Sequence, residues 1–235
     1  TVPTVTVTQA AGQADPTNDS SIDFEVVFSE PITGFDGSDV TIGGTAAGIL
    51  TAVVTGSGPT YNVAVSGMTS DGTIQVDIVA AVVTDIAGNP NLASTSTDNL
   101  VSLDSTPPPV PSNPDLSAVS DLGSSDVDDL TNVTKPTFAG TALAGSIVTL
   151  KKGATVLGTN TANGSGNWSI TSSIDLTEGL NNITATAKDA VGNESAASSV
   201  LAVTVDTAAP SVTVEQASGQ VDPTNGSPIN FAVNF

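Results

Sequence analysis

The chain repeats its own beginning near its end, and this repeat limits the possible folds more than any other feature. Residues 3–28 read PTVTVTQAAGQADPTNDSSIDFEVVF and residues 210–235 read PSVTVEQASGQVDPTNGSPINFAVNF, so 17 of the 26 aligned positions are identical. A long internal period is typical of a repeat architecture in which each unit is a structural module. We therefore expect the parent polypeptide to repeat with a period near 207 residues.

The positions that stay the same between the two copies alternate along the chain. The residues between them change freely. Successive side chains of a strand point to opposite faces, so the unchanged set is predicted to face a core and the variable set to face water. The unchanged set is Ile22, Phe24, Val26 and Phe28, which recur as Ile229, Phe231, Val233 and Phe235.

The composition excludes several classes of function. The chain has four Lys, no Arg and 24 acidic residues, for a net charge of −20. Nucleic-acid binding is excluded because phosphate contacts need a basic surface. The absence of Cys and His removes thiol chemistry, disulfides, histidine catalysis and the usual zinc ligands. No apolar run reaches the roughly 20 residues of a membrane-spanning helix, so we expect no membrane insertion in this segment.

Short alternating runs, divided by turn signals, cover the chain. A run through Tyr61, Val63 and Val65 is separated from the next one by Asp71-Gly72. Such strands, about 8–12 residues apart and without a helical period, are typical of antiparallel sandwiches. The proline-rich run 107–114 predicts a stiff linker. We therefore predict an all-β chain with one sandwich over 1–106, a second over 107–209, and the first two strands of a further unit over 210–235.

Several motifs resemble those of a known family. Residues 121–132 (DLGSSDVDDLTN), 135–142 (KPTFAGTA), 166–169 (GNWS) and 189–193 (DAVGN) resemble a bacterial Ig-like domain, and residues 28–31 (FSEP) with 33–35 (TGF) resemble a second subtype. Such domains stand in long arrays in giant surface adhesins and biofilm proteins. The resemblance implies tandem Ig-like antiparallel β-sandwiches in an extended array, on the cell surface or secreted. It also implies calcium near domain junctions, as in many members of such arrays.

One short motif, Asp-x-x-Gly-Asn, occurs in both predicted domains. It spans Asp85 to Asn89 and Asp189 to Asn193, and an aspartate follows each copy near the end of its domain, Asp104 or Asp206. One interpretation is a hairpin turn, since Asp favours Asx-turns and Gly-Asn tolerates left-handed backbone. The other interpretation is a metal site.

Strand direction in a seven-strand Ig sandwich brings acidic residues together at the domain ends. The loop before the last strand lies at the N-terminal pole, where the chain enters, and the loop after the first strand lies at the C-terminal pole, where it leaves. We expect Asp15, Asp104, Asp189 and Asn193 to converge at the first seam between domains, and Asp121, Asp126, Asp128 and Asp206 at the next.

Clustered carboxylates repel one another, whereas Ca²⁺ takes 6–8 oxygen ligands. We therefore predict calcium at the seams, held by these eight residues together with Asp85 and Asn89 of the first turn motif. The spacing of Asp121, Asp126 and Asp128 does not match an EF-hand loop, and a solvated acidic loop is the alternative for that group.

The leading functional hypothesis is a non-catalytic spacer of a repetitive extracellular adhesin or surface fibre. Its partners would be the neighbouring repeats of the same chain, with other copies of the fibre and an unidentified host ligand as further possibilities. The alternative is a glycan-binding or accessory module of a secreted polysaccharide-active protein, which needs exposed Trp or Tyr platforms. Only Tyr61 and Trp168 could supply them, and Trp168 is predicted to be core because it lies beside the core-facing Ile170.

The short third unit allows a second interpretation. If the native chain ends there, residues 210–235 are expected to complete a neighbour's sandwich by strand addition.

Overall fold

A computed structural model describes residues 1–123 and 125–235, and these residues form nineteen β-strands and one 3₁₀ turn at Gly37–Asp39. The abundance of Val, Thr and Ile favours strands, and frequent Gly and Asp end them. The predicted all-β fold of tandem Ig-like sandwiches is confirmed. The part of the chain that the structure describes contains no helix with the length and apolarity needed to cross a membrane.

The first domain is a sandwich of two antiparallel sheets with a small extra pair of strands. One sheet has the order β1-β2-β6-β5, the other has the order β4-β7-β9, and β3 pairs with β8. The strands are β1 (Val5–Gln9), β2 (Ser21–Phe28), β3 (Ile32–Thr33), β4 (Val40–Gly44), β5 (Gly48–Ser57), β6 (Thr60–Met68), β7 (Gly72–Ile78), β8 (Thr84–Asp85) and β9 (Leu100–Leu103).

The core of the first domain lies between the two sheets. Strand β2 supplies one side, because it pairs with both β1 and β6 and turns its alternate side chains inward. Ile22, Phe24 and Val26 are 0% exposed, whereas Glu25 is exposed. The predicted core face of this strand is confirmed.

The second domain is also a sandwich. One sheet has the order β10-β12-β15 and the other has the order β11-β17-β16-β13-β14, in which only the β11–β17 pair is parallel among the described strands. The strands are β10 (Asp115–Leu116), β11 (Leu130–Thr131), β12 (Thr137–Thr141), β13 (Ile147–Lys152), β14 (Thr155–Thr161), β15 (Asn167–Thr171), β16 (Gly179–Lys188) and β17 (Leu201–Val205).

Trp168 belongs to the core of the second domain. It is 4% exposed, and its indole covers Gly140 on the paired strand β12 so closely that a Cβ added there would lie 2.5 Å from Cζ2 of the ring. Glycine is therefore required opposite the indole. The prediction that Trp168 is a core residue is confirmed.

Residues 210–235 form a two-stranded antiparallel hairpin of β18 (Thr213–Gln216) and β19 (Phe231–Asn234). The described residues place no second sheet over its apolar face. The side chains on that face are all exposed: Val212, Val214, Ile229, Phe231, Val233 and Phe235.

Two long strands show the alternating apolar pattern only weakly. β5 and β14 lie at the edges of their sheets and are rich in Thr and Gly. The inward side chains of β5 are only half-buried and β14 buries one side chain, so both sequences carry a weak period-two signal.

Candidate functional site

The Asp-x-x-Gly-Asn motif folds into the same closed turn in both domains. In the first domain the Asp85 carboxylate accepts hydrogen bonds from the backbone N–H and from Nδ2 of Asn89, both at 2.8 Å. In the second domain Asp189 accepts the equivalent bonds from Asn193, both at 2.9 Å. The glycine before each asparagine has φ of 81° and 106°, a conformation that favours glycine.

These bonds stabilise the charged form of both aspartates. The side chain and backbone of Asn89 hold the pKa of Asp85 below its ordinary value. Burial is the largest influence on Asp189 and raises its pKa, but the hydrogen bonds from residues 191–193 together outweigh it, so the pKa is lowered. Each carboxylate thus fixes the orientation of the asparagine amide in its own turn.

The turn of the second domain contacts the C-terminal pole of the first. Nδ2 of Asn193 donates a second hydrogen bond, 2.9 Å long, to the backbone carbonyl of Asp104, and Nδ2 of Asn18 donates to Oδ1 of Asn193 at 3.1 Å. The backbone N–H of Asp104 in turn donates to the carbonyl of Thr17 at 2.8 Å. One asparagine side chain therefore holds two segments of the preceding domain. We call the contact of Asn18, Asp104 and Asn193 the amide latch.

The carboxylates predicted for the first seam bind nearby backbone groups. Asp15 accepts the N–H of Ser102 at 2.9 Å, and Asp104 accepts the N–H of Thr106 at 3.2 Å. A crevice of about 300 Å³ lies between the two poles, lined by Pro16, Asp104 and residues 143–146 and 189–191. The structure thus brings Asp104, Asp189 and Asn193 together at the seam, while Asp15 contacts only its own domain.

An acidic side chain from a neighbouring loop holds the chain where it leaves each domain. Asp71 accepts bonds from the backbone N–H and Oγ of Ser105, both at 2.7 Å, and another from Oγ1 of Thr106. The bond from Thr106 is the largest of the influences that lower the pKa of Asp71. Glu178 accepts a bond from Oγ1 of Thr207 at 2.8 Å. The only sequence signal for these contacts is that Asp71 precedes Gly72 in a turn at the C-terminal pole.

The loop 121–129 holds the most deeply buried acidic residue of the second domain. Asp121 is 4% exposed, and its Oδ1 has no hydrogen-bond partner among the described residues. Burial raises the pKa of Asp121, a backbone bond from Asp129 opposes this, and the charges of Asp128 and Asp126 raise it further. Oδ1 of Asp121 therefore lacks the hydrogen bond that a buried carboxylate oxygen normally has.

Asp206 belongs to the exit of the second domain. It accepts the N–H of Ala208 at 3.0 Å, and its own N–H donates to the carbonyl of Thr131 at 2.8 Å. Asp104 makes the same two bonds with Thr106 and Thr17. The C-terminal poles of the two domains therefore have the same local design.

These contacts indicate where a calcium ion would fit. Across residues 1–123 and 125–235, no group of three acidic side chains is already arranged to hold a metal ion. At the first seam, Oδ1 of Asp189 already accepts three backbone hydrogen bonds, so that oxygen is a poor calcium ligand. Oδ1 of Asp121 is a buried oxygen without a donor, and a hard cation would satisfy it. Oδ1 of Asp121 therefore lacks a donor, whereas Oδ1 of Asp189 has three.

Similar solved structures have low sequence identity to this chain. They include "Biofilm associated protein - BSP domain" (21% identity, 86% of this chain and 30% of that chain, TM-score 0.31) and "Crystal structure of tetra-tandem repeat in extending region of large adhesion protein" (20%, 92% and 52%, TM-score 0.31). A third is "Structures of Clostridium thermocellum CbhA fibronectin(III)-like modules" (16%, 85% and 93%, TM-score 0.41). The chain spans less than a third of the first of these structures. No curated protein matches the chain.

Two family models match the chain, and both are described as "Bacterial Ig-like domain". One covers residues 1–101 and the other covers residues 107–207. The matches leave only a short gap between them, which contains the exit of the first domain. The chain therefore belongs to the bacterial Ig-like domain family and carries two such domains in tandem.

Proposed function

We propose that this chain is a spacer segment of a repetitive extracellular adhesin or surface fibre, without catalytic activity of its own. The amide latch is the observation that carries the proposal, because a turn geometry that both domains share is used in the second domain to hold the pole of the domain before it. Sandwiches that contact mainly their chain neighbours build extended arrays. The net charge of −20 keeps such a surface soluble.

The glycan-binding alternative needs exposed Trp or Tyr platforms, and the single Trp and the single Tyr do not provide them. Trp168 is 4% exposed and Tyr61 is 9% exposed, and both belong to the cores of their domains. The ring of Tyr61 also packs edge-on against Phe28 and Phe35, with ring centroids 6.0 and 5.1 Å away. The spacer function is therefore the better supported of the two.

We further propose that calcium stiffens the array from the loop 121–129. Asp121, Asp126 and Asp128 would hold the ion, whose positive charge would offset their mutual repulsion. Since the described residues contain no preassembled group of three carboxylates, Asp126 and Asp128 would move towards Asp121 on binding.

The loop is connected to the exit of the second domain. Oγ1 of Thr131 donates to the carbonyl of Ser120, and the carbonyl of Thr131 accepts the N–H of Asp206. An ion held by Asp121 would therefore be linked through Thr131 to the pole from which the chain leaves this domain.

The spacer function can be tested by replacing the chain in its parent protein. Residues 1–209 would be exchanged for two unrelated sandwich domains of the same length, and adhesion of cells displaying the protein would be measured. A spacer predicts that adhesion is retained with the replacement and falls when the same residues are deleted. Loss of adhesion with the length-matched replacement would show that the segment itself binds a ligand. Glycan-array binding by the intact chain would then support the alternative.

The calcium proposal can be tested by titrating the intact chain with Ca²⁺ in a calorimeter. Extracellular modules bind at roughly 10⁻⁴–10⁻³ M, and we expect Asp121→Asn to weaken binding at least about tenfold because it removes a charged ligand. Asp104→Asn is the matched control at the first seam and should leave the affinity unchanged. The opposite result, with Asp104→Asn damaging and Asp121→Asn neutral, would move the site to the first seam.

A further inference from the structure

The amide latch uses groups that recur at two other poles of the chain. We infer that the N-terminal pole of the first domain is a receiving surface for the C-terminal pole of a domain of the second type, through a second amide latch made by Asn89, Asn132 and Asp206. The inference rests on the proposed spacer function, since it assigns the preceding neighbour in the array. The partner it requires is another copy of the sandwich formed by residues 107–209.

The receiving side is already in place. Asp85 orients the amide of Asn89 through two bonds of 2.8 Å, as Asp189 orients Asn193. Asn193 uses its second amide hydrogen and its Oδ1 to bind the preceding domain. Across residues 1–123 and 125–235, the same two groups of Asn89 have no hydrogen-bond partner, so they are free to bind a neighbour.

The presenting side has the same backbone design at both C-terminal poles. Thr17 lies parallel to Leu103 at the end of β9, and Thr131 lies parallel to Val205 at the end of β17. The aspartate that follows each strand donates its N–H to the threonine carbonyl at 2.8 Å. An exposed asparagine comes directly after each threonine, so Asn132 occupies the position that Asn18 has in the amide latch.

Apolar residues beside the polar groups also correspond. At the observed seam Pro16, which precedes Thr17, lines the same crevice as Ala190, the second residue of the turn. At the free poles the matching residues are Leu130, which precedes Thr131 and is 42% exposed, and Ile86, which lies in the Asn89 turn and is 86% exposed. Contact between these two poles would cover both apolar side chains.

The order of units along the chain supports this pairing. The sequence after the second domain is a copy of the start of the first, with 17 of 26 positions identical. The hairpin that it forms has the same strand register as β1 and β2. A C-terminal pole of the second type is therefore followed directly by a unit of the first type.

The test uses a chain in which residues 29–235 are appended after Phe235, which completes the third unit with the sequence of the first domain. Two spin labels, at Thr159→Cys in the original second domain and Thr55→Cys in the appended residues, span the inferred joint. Both positions are exposed, and the chain has no other cysteine. In a second sample, Thr55→Cys and Thr159→Cys both lie in the original copy and span the observed seam. Electron–electron distance distributions then report how rigid each joint is.

We expect narrow distributions at both joints of the unchanged chain. Asn89→Ala in the appended residues should raise the open fraction of the inferred joint about tenfold, because it removes two intermodular hydrogen bonds. Asn193→Ala in the original copy should do the same at the observed seam and leave the inferred joint narrow. Each variant also removes the bond from Nδ2 to the aspartate of its own turn, so thermal unfolding is measured to check that both domains remain folded.

Two results would overturn the inference. One is a broad distribution at the inferred joint of the unchanged chain beside a narrow one at the observed seam. The other is a narrow distribution that Asn89→Ala leaves unaltered. Either result would leave the spacer function standing, because the length-matched replacement tests that function separately.

Discussion

The chain contains the same hairpin in two environments. Val7 pairs with Val26 in the first domain, and Val214 pairs with Val233 at the same positions of the third unit. The exposed fraction differs completely, since Phe24 is 0% exposed and its counterpart Phe231 is 63% exposed.

The loops of the two hairpins also agree. Oε1 of Gln13 accepts the N–H of Asp23 at 2.9 Å, and Oε1 of Gln220 accepts the N–H of Asn230 at 3.2 Å. Strand pairing and loop bonds are therefore properties of the 26-residue segment alone. Burial is a property of the sandwich around it, and burial provides most of the stability.

A charge on the inward face should give the largest difference in stability loss between the two hairpins. Phe24→Asp places an unpaired carboxylate in the core and should cost about 4 kcal/mol or more, enough to unfold the first domain. Phe231→Asp puts the same charge at an exposed position and should leave both domains folded. Calorimetry would detect the loss of one transition, and the fluorescence of Trp168 would show that the second domain still unfolds normally. Equal damage from the two substitutions would contradict the assigned strand faces.

Removal of two methyl groups should give a smaller difference of the same sign. Val7 is 0% exposed, so Val7→Ala should lower the free energy of unfolding of the first domain by about 2 kcal/mol. Val214 is 62% exposed, and Val214→Ala should leave both unfolding transitions within error. Urea unfolding measures both values. A loss of stability from Val214→Ala would mean that the third unit packs against another part of the chain in solution.

The loop glutamines should affect stability and local order differently. Gln13→Ala removes the acceptor for the Asp23 N–H and should cost the first domain about 1 kcal/mol. Gln220→Ala should not change either domain transition, but it should remove hydrogen-exchange protection from the hairpin of β18 and β19. Protection that survives Gln220→Ala would show that the strand ladder alone sets this register.

The smallest effect is expected at the outward-facing positions. Glu25→Lys and Ala232→Lys change corresponding residues on the solvent side of the strand, and each should alter domain stability by no more than about 0.5 kcal/mol. Thermal unfolding of both variants at the same salt concentration checks this. A large loss from Glu25→Lys alone would show that the outer face of β2 is covered in solution.

The hairpin comparison also shows what the sequence could predict. The inward positions of β2 follow from alternation, because the period of a strand is local. The core position of Trp168 follows in the same way from its neighbour Ile170. The sandwich class follows from the strand spacing. The edge strands β5 and β14 are harder to predict because their inward side chains are only half-buried or few.

The seam was only partly predictable. Strand direction places Asp104, Asp189 and Asn193 at one junction, and the structure brings them together. Asn18 contacts Asn193 from 175 positions away, and Asp71 reaches Ser105 from another loop. Neither contact has a local signal, because each depends on how two loops meet in space. The burial of Asp121 could not be inferred for the same reason, since its acidic neighbours suggest a solvated loop.

The hold of Asp71 on residues 105 and 106 has a mechanical consequence. Asp71 directly precedes β7, whose first four residues pair with β9, the strand that leads out of the domain. A pull on the following linker therefore acts on two adjacent strands at once and not on the end of β9 alone. Because both strands are pulled together, the ladder between them carries less of the load, and the last strand is protected from being peeled away one bond at a time.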